Sequence, residues 1–329
     1  MIQNKKLKDM IEPTSHRIDK VTQFLREIRG GGLASTSDFV TPIDDPFGPA
    51  ITDEALECIV GSDETKRGCE KINEIRMGKG FKPLDIHLIK LVADDCHHEH
   101  EEAKISSSNA RIRLLGQALK PSLKPFSVPY VIGLTGGSAS GKSNIARYLQ
   151  DLGAGIIDCD KLGHMAYEPG TQCYDTLLQV FGQDLKAQDG KIDRRSLGGK
   201  VFGDPNALRQ LESIVWPEIS RMGKEKMQNL VEVEGKKVII WDAAVLLQAG
   251  WDREVHEVWA AFIDQPEAVK RIVERDGKTE EQAKTRLASQ SSNQELISKC
   301  NTIFYTLWDY AVTRKQVDVA WLRIQQKLF

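Results

Sequence analysis

The sequence has no Cys-x-x-Cys pair, no apolar run near membrane length, and no excess of either charge. Each absence excludes something. Six cysteines, Cys58, Cys69, Cys96, Cys159, Cys173 and Cys300, are scattered over 329 residues. That spacing suits neither a disulfide framework nor a paired-thiol metal site, and it fits free thiols in a reducing compartment. A membrane-spanning helix needs about 20 apolar residues, so no integral membrane segment is expected. Met1–Met10 is polar, with Lys5, Lys6, Lys8 and Asp9. It reads neither as a secretory signal nor as an Arg-rich presequence. A net charge of −2 leaves no general basic face. Nucleic-acid binding needs such a face to neutralise phosphates, so no nucleic-acid partner is expected, while a local basic pocket stays allowed. Cys96-His97-His98-Glu99-His100-Glu101 matches no common zinc spacing and reads as a solvated loop.

What is present is a globular composition, 40% hydrophobic and 28% charged. At about 100–200 residues per domain, two domains are expected. Pro121, Pro125 and Pro129 fall in one short stretch. Proline restricts its own φ and the residue before it, so this stretch cannot be a continuous helix and reads as a linker near residues 118–128.

Ahead of the linker, Val21, Phe24, Leu25 and Ile28 recur with helical period, and Gly30-Gly31-Gly32 would stop that helix. Leu56–Val60 is a candidate strand. Ser62 is positioned to cap a helix running through Ile72 and Ile75 to Gly78. Leu84, Ile86, Leu88 and Val92 give a second strand, in the order of a parallel sheet with covering helices. After the linker, Tyr130–Leu134, Ile156-Ile157, Val238–Trp241 and Trp259–Ile263 read as strands with helices between them. Thr279 and Gln282 form a capping box. A last helix is expected near Gln316–Phe329, with Val317, Ala320, Trp321, Ile324 and Leu328 on one stripe. This is the pattern of a doubly wound α/β domain, which binds ligands at the carboxyl ends of its strands.

Gly136-Gly137-Ser138-Ala139-Ser140-Gly141-Lys142-Ser143 fits Gly-x4-Gly-Lys-[Ser/Thr] between a buried strand and an amphipathic helix. Its glycines allow a tight turn whose backbone N–H groups point at phosphates. The helix start adds a favourable dipole. Lys142 can reach the β- and γ-phosphates, and the Ser143 hydroxyl can ligate Mg²⁺. The expected nucleotide is ATP. A guanine-reading Asn-Lys-x-Asp is absent after this loop, and the chain lacks the length and basic channel of a helicase. A small kinase remains, and it needs an acceptor base and a lid.

Asp158-Cys159-Asp160 ends the second strand beside the phosphate loop. Asp160 can take the proton of an attacking hydroxyl; its alternative reading is a helix N-cap. Asp158 is open between metal or substrate contact and a structural role. In Pro266–Asp276, Arg271 and Arg275 are four apart and share a helix face. Two guanidiniums on one face suit a polyphosphate lid, and a solvated face paired with Glu267 and Glu274 is the alternative. Arg286 is a third candidate. Asp193-Arg194-Arg195 reads either as a substrate-phosphate contact or as surface pairing.

These residues resemble dephospho-CoA kinases in order and spacing over roughly residues 130–329. The likeness rests on Gly133–Ser143, Asp158-Cys159-Asp160, Glu168-Pro169-Gly170, Asp189-Gly190 with Asp193-Arg194-Arg195, Val201-Phe202 before Asp204-Pro205, and Arg271 to Asp276. The resemblance implies phosphorylation of the ribose 3′-hydroxyl of dephospho-CoA with Mg-ATP, Asp160 as catalytic acid–base residue and Arg271 as a lid arginine.

The first segment resembles the pantetheine-phosphate adenylyltransferase half of animal bifunctional coenzyme A synthases. The matching stretches are Asn4–Leu7, Glu12-Pro13, His16-Arg17, Asp45–Pro49, Ser62–Thr65, Asn73, Arg76 and Lys104–Arg111. In the last stretch, three hydroxyls at a helix start with Arg111 one turn on would make a phosphate site, or a plain N-cap with a surface arginine. That family carries a His-x-Gly-His motif near its start, and none occurs here. In the kinase half, Trp216-Pro217, Gln248 and Tyr305-Thr306-Leu307-Trp308 depart from bacterial relatives, and the Trp-Pro and Thr-Leu-Trp features match the animal enzymes.

The resulting expectation has three parts. Residues 1–118 form a truncated, inactive adenylyltransferase-like domain that offers a surface for a protein partner or a second copy. Residues 119–128 are a linker, and residues 129–329 a dephospho-CoA kinase. By resemblance the setting is cytoplasmic or mitochondrion-associated. Two alternatives stay open, a non-catalytic nucleotide-binding regulator and a P-loop kinase for another small metabolite.

Overall fold

The computed structural model describes residues 5–28, 40–201 and 203–328. Asn4, the Gly30–Gly32 helix stop, Phe202 and Phe329 lie outside the described residues. The chain divides into two compact units, Met1–Arg113 and Leu114–Phe329.

In the first unit, helix α1 spans Thr14–Ile28, strand β1 Cys58–Ser62, helix α2 Lys66–Gly78, strand β2 Asp85–Ile89 and helix α3 Ser107–Arg113. β1 and β2 pair in parallel, from Cys58 opposite Asp85 to Ser62 opposite Ile89. The α1 periodicity does make a helix, yet none of its residues is buried and Phe24 is 59% exposed. α2 buries Cys69, Ile72 and Arg76 along one face. The wholly buried Arg76 guanidinium donates to the carbonyls of Lys82, Ala50, Asp53, Glu54 and Leu56. Five backbone acceptors replace the water it gives up. The Asn73 amide holds both backbone groups of Leu84. The expected Ser62 cap is corrected. Thr65 occupies the N-cap without a side-chain bond to the helix, and its hydroxyl accepts the Ser62 N–H at 2.8 Å. Three residues therefore turn between strand and helix.

The second unit is built on five parallel strands: β3 Tyr130–Gly136, β4 Gly155–Asp158, β5 Val238–Asp242, β6 Glu257–Phe262 and β7 Thr302–Tyr305. Their order in the sheet is β4-β5-β3-β6-β7. Every residue of β3, β5, β6 and β7 is buried, as a parallel sheet covered on both faces requires. The helices are α4 Lys142–Asp151, α5 Cys159–Met165, α6 Gln172–Phe181, α7 Arg194–Val201, α8 Pro205–Glu232, α9 Gln265–Asp276, α10 Glu280–Ala288, α11 Asn293–Lys299 and α12 Tyr310–Leu328. Ile145, Ala146 and Leu149 of α4 and Val317, Ala320, Trp321 and Ile324 of α12 join one core against the sheet. Thr279 and Gln282 make both halves of the capping box.

Three features differ from the sequence reading. α12 starts at Tyr310 rather than near Gln316, and the buried Gln316 amide within it bonds both backbone groups of Tyr305. β7 is a strand of four residues with no alternation to mark it. α8 runs for 28 residues with Pro217 inside it.

The proline-rich stretch holds neither helix nor strand. Its Leu119 and Leu123 N–H groups donate to the carbonyls of Asn301 and His256 at 2.7 Å. Among the described residues no helix is long and apolar enough to cross a membrane.

Chain order places the first strand, β3, mid-sheet. β4 and β5 lie on one side of it, and β6 and β7 on the other. The direction of winding reverses there, so loops diverge at the carboxyl end of β3 and leave a crevice.

Candidate active site

The crevice is filled by the loop from β3 to α4. Gly141 sits at φ 81° as the N-cap of α4, a left-handed conformation that glycine adopts without a side-chain clash. At Gly136 a Cβ would lie 2.6 Å from the Ala261 carbonyl oxygen, so only glycine fits. Ala139 also has positive φ, 61°, a conformation that costs an L-residue about 1–2 kcal/mol. Its neighbours hold it there. The Thr306 hydroxyl donates to the Ser140 carbonyl at 2.7 Å. The Gln290 amide brackets Ser138, accepting its N–H at 2.9 Å and donating to its hydroxyl at 2.8 Å.

The loop floors a cavity of about 830 Å³. Gly136 to Asn144, Asp160, Arg271, Arg275 and Arg286 line it, with Trp308 and Tyr310 at another wall. Every sequence-expected loop residue, Asp160 and both lid arginines therefore meet in one place. Asp158 is not among the lining residues.

Lys142 lies between two carboxylates, in a short ion pair with Asp242 and 3.7 Å from Asp160. Asp242 ends β5 opposite Leu134 of β3 and Asp158 of β4. Burial raises the Asp242 pKa above the usual carboxylate value. Lys142 opposes that rise, and the charges of Asp160 and Asp158 add to it. Asp160, in the first turn of α5, is 62% exposed and open to a reactant.

Asp158 rather than Asp160 is the N-cap of α5. Its carboxylate accepts the Lys161 N–H at 3.0 Å and pairs with the Lys161 ammonium at 3.1 Å. Burial would raise its pKa, but these Lys161 contacts bring it below the usual value. Between them, the Cys159 thiol is buried, which pushes its pKa up and makes it a poor nucleophile.

Arg271 of α9 donates to the Thr306 carbonyl at 2.8 Å and the Ala139 carbonyl at 3.4 Å, and pairs with Glu267 at 3.1 Å. Arg275 and Arg286 both pair with Asp276, at 2.7 and 2.9 Å. Val269, Ile272 and Ala283 bury one face between α9 and α10, and Ala139 of the phosphate loop packs against them.

Sequence reasoning missed Asp242, Gln290 and Thr306. For Asp242 a signal exists, since the apolar run Val238–Trp241 ends in a carboxylate beside the phosphate-loop strand. Nothing local marks Gln290, and Thr306 enters the sequence reading only within the Tyr305-Thr306-Leu307-Trp308 likeness, with no role at the site. Arg194 and Arg195 line a separate cavity of about 340 Å³. In the first unit, Ser106 caps α3 through the Asn109 N–H at 3.1 Å. Arg111 donates to the Lys6 carbonyl at 2.9 Å and the Ser108 hydroxyl at 3.3 Å. That matches the N-cap alternative, with the arginine turned to backbone.

The dephospho-CoA kinase family model matches residues 130–305. The dephospho-CoA kinase of Symbiobacterium thermophilum is 36% identical over 191 residues, covering 58% of this chain and 80% of that protein. That of Geobacter sulfurreducens is 34% identical over 193 residues, 59% of this chain and 98% of that protein. Among solved structures, TT1252 from Thermus thermophilus aligns with TM-score 0.53 and 26% identity, over 62% of this chain and all of that one. The strand–phosphate loop–helix that presents one lysine to two carboxylates lies within the residues so matched: the chain belongs to the dephospho-CoA kinase family.

Proposed function

We propose that the second unit transfers the γ-phosphoryl group of ATP to the ribose 3′-hydroxyl of dephospho-CoA, giving coenzyme A and ADP. The observation that carries this reading is Lys142, set on the cavity floor between Asp242 and the open carboxylate of Asp160. In the reaction Asp160 orients the hydroxyl and accepts its proton as oxygen attacks phosphorus. The bond to the bridging oxygen breaks, and that oxygen leaves with ADP. Loop N–H groups and Lys142 hold the phosphates, and Arg271 faces the transferring group. Arg275 binds the donor phosphates from the same helix. The hydroxyl of Ser143 lines the cavity and is a hard oxygen donor, the chemistry that suits Mg²⁺, whereas neither Asp158 nor Asp242 is among the lining residues. Mg²⁺ bound there would neutralise phosphate charge, and Asp158 would act on it only through its field.

A coupled ADP-release assay tests the reading, with dephospho-CoA, adenosine, shikimate or no acceptor beside Mg-ATP. Turnover is expected with dephospho-CoA alone, and its loss in Asp160→Ala. ATP binding without turnover on any acceptor would support a nucleotide-binding regulator instead.

We infer that the first unit derives from the adenylyltransferase half of an animal bifunctional coenzyme A synthase and is inactive. The support is its motif resemblance without a His-x-Gly-His. Its two-stranded sheet leaves Val60 63% and Ile89 58% exposed, apolar surface that a protein partner or a second copy would cover. No pyrophosphate release from ATP and phosphopantetheine is expected. Measurable adenylyl transfer would overturn this inference.

A further inference from the structure

The second cavity shares no lining residue with the first. Its wall is a turn and a helix start. The turn is closed by the Gly190 N–H donating to the Ala187 carbonyl at 3.0 Å, and the Ala187 N–H to that of Lys191 at 2.8 Å. The buried Tyr174 bonds its hydroxyl to the Gly190 carbonyl and so fixes the turn to α6. Asp193 accepts the Arg195 N–H at 2.9 Å and the Ser196 hydroxyl at 2.6 Å, which sets the first residues of α7.

Three carboxylates, Glu168, Asp189 and Asp193, and three cations, Lys191, Arg194 and Arg195, line this wall. Glu168 pairs with Lys191 at 2.9 Å, Asp189 accepts the Lys191 backbone N–H at 3.0 Å, and Asp193 is committed to its own backbone cap. Arg194 has no carboxylate partner among the described residues. Its guanidinium lies 5.7 Å from the centre of the Tyr167 ring and donates to the His164 carbonyl at 3.3 Å. The Arg195 side chain has no hydrogen-bonded partner among the described residues. Two exposed guanidiniums on a fixed backbone, next to an aromatic ring, suit a polyphosphate ester.

Helix α5 joins this wall to the first cavity. Asp160 is in its first turn, and His164, which Arg194 contacts, is in its last. Four residues of helix rise about 6 Å. The 3′-hydroxyl and the 5′-phosphates of one nucleotide are separated by a single sugar ring, a similar span.

We propose that Arg194 and Arg195 bind the 5′-diphosphate of the acceptor nucleotide while its ribose hydroxyl lies at Asp160. This rests on the reading of dephospho-CoA as acceptor. It makes the two arginines binding residues for one substrate only.

Arg195→Gln and the double variant Arg194→Gln/Arg195→Gln test it. KM for dephospho-CoA is expected to rise about ten-fold per arginine, the loss of a charge-assisted hydrogen bond, with KM for ATP and kcat little changed. Calorimetric titration of dephospho-CoA, with pantetheine as the probe lacking the diphosphate, is expected to give the same weakening for dephospho-CoA alone. An unchanged KM and Kd for dephospho-CoA in the double variant would overturn the subsite and leave the kinase reading standing. Wild-type protein that binds dephospho-CoA without phosphorylating it would overturn the kinase reading, and the variants' Kd would still decide the subsite. Wild-type protein that binds no dephospho-CoA would sink both. Arg195→Gln removes no hydrogen bond, so a failure of the double variant to fold leaves the single variant decisive.

Discussion

The Lys142 ammonium and the Asp242 carboxylate form an ion pair in which the side chains are only 12% and 9% exposed. A buried pair of this kind is weak evidence for stability, but removing one partner strands the other. Lys142→Met is expected to cut turnover by roughly 10²–10³, the scale for losing one preorganised transition-state donor. It also removes the charge that opposes the raised pKa of Asp242. The ionised form of Asp242 should then be lost at a still higher pH as the solution is acidified. Carbon NMR of the Asp242 carboxyl group checks this, and a midpoint that stays put or falls would contradict it.

Asp160 is open to a reactant, whereas Asp242 is enclosed. Asp160→Asn is therefore expected to lower kcat by roughly 10²–10⁴, the range for loss of a general base. The KM for ATP should move little. A fall in ATP affinity with kcat preserved would assign Asp160 to nucleotide binding instead.

Arg271 touches both Ala139 and Thr306, while Arg194 lies at another cavity. Arg271→Ala is expected to reduce kcat by roughly 10²–10³. Arg194→Ala should leave kcat close to wild type. Steady-state kinetics at saturating dephospho-CoA separate the two, and equal losses would undo the ranking.

Far from the site, Glu257 opens β6 and is 1% exposed. It accepts two bonds from Arg323 at 2.7 Å, one from Trp259 at 2.9 Å and one from Tyr130 at 2.8 Å, with Lys327 at 3.1 Å. Burial opposes ionisation, but these donors outweigh it and hold the pKa at about 2. The folded value lies below the unfolded value of 4.5. The stabilisation is therefore complete above that pH and is lost as pH falls toward about 2. Glu257→Ala is expected to cost about 3–5 kcal/mol at neutral pH, because it leaves Arg323 without its buried partner. Urea unfolding at neutral pH and near pH 3 measures both effects. A variant with unchanged acid sensitivity would refute the assignment.

The phosphate loop was legible because phosphate binding demands glycines, lysine and serine side by side. Asp160 was legible for the same local reason, sitting where a short apolar strand ends in two carboxylates. Asp242 is 100 residues from Lys142, and only the parallel pairing of β5 with β3 brings them together. Gln290 stands 152 residues from Ser138, beyond any local pattern. The cap at Asp158 rather than Asp160 depends on where β4 ends, which periodicity in so short a strand does not fix. α1 shows the opposite limit. Its stripe of Val21, Phe24 and Ile28 correctly gives a helix, yet a stripe states that a face is apolar and not what covers it.

Ala139 belongs at once to the phosphate loop and to the apolar seam between α9 and α10. Its methyl group makes the loop and the arginine-bearing hairpin parts of one lever. The Arg271 guanidinium adds a second tie by donating to the Ala139 carbonyl at 3.4 Å, so a shift of the loop backbone would reach the hairpin through both contacts. A larger residue there would wedge the hairpin outward and strain the loop together, so neither part can be retuned alone.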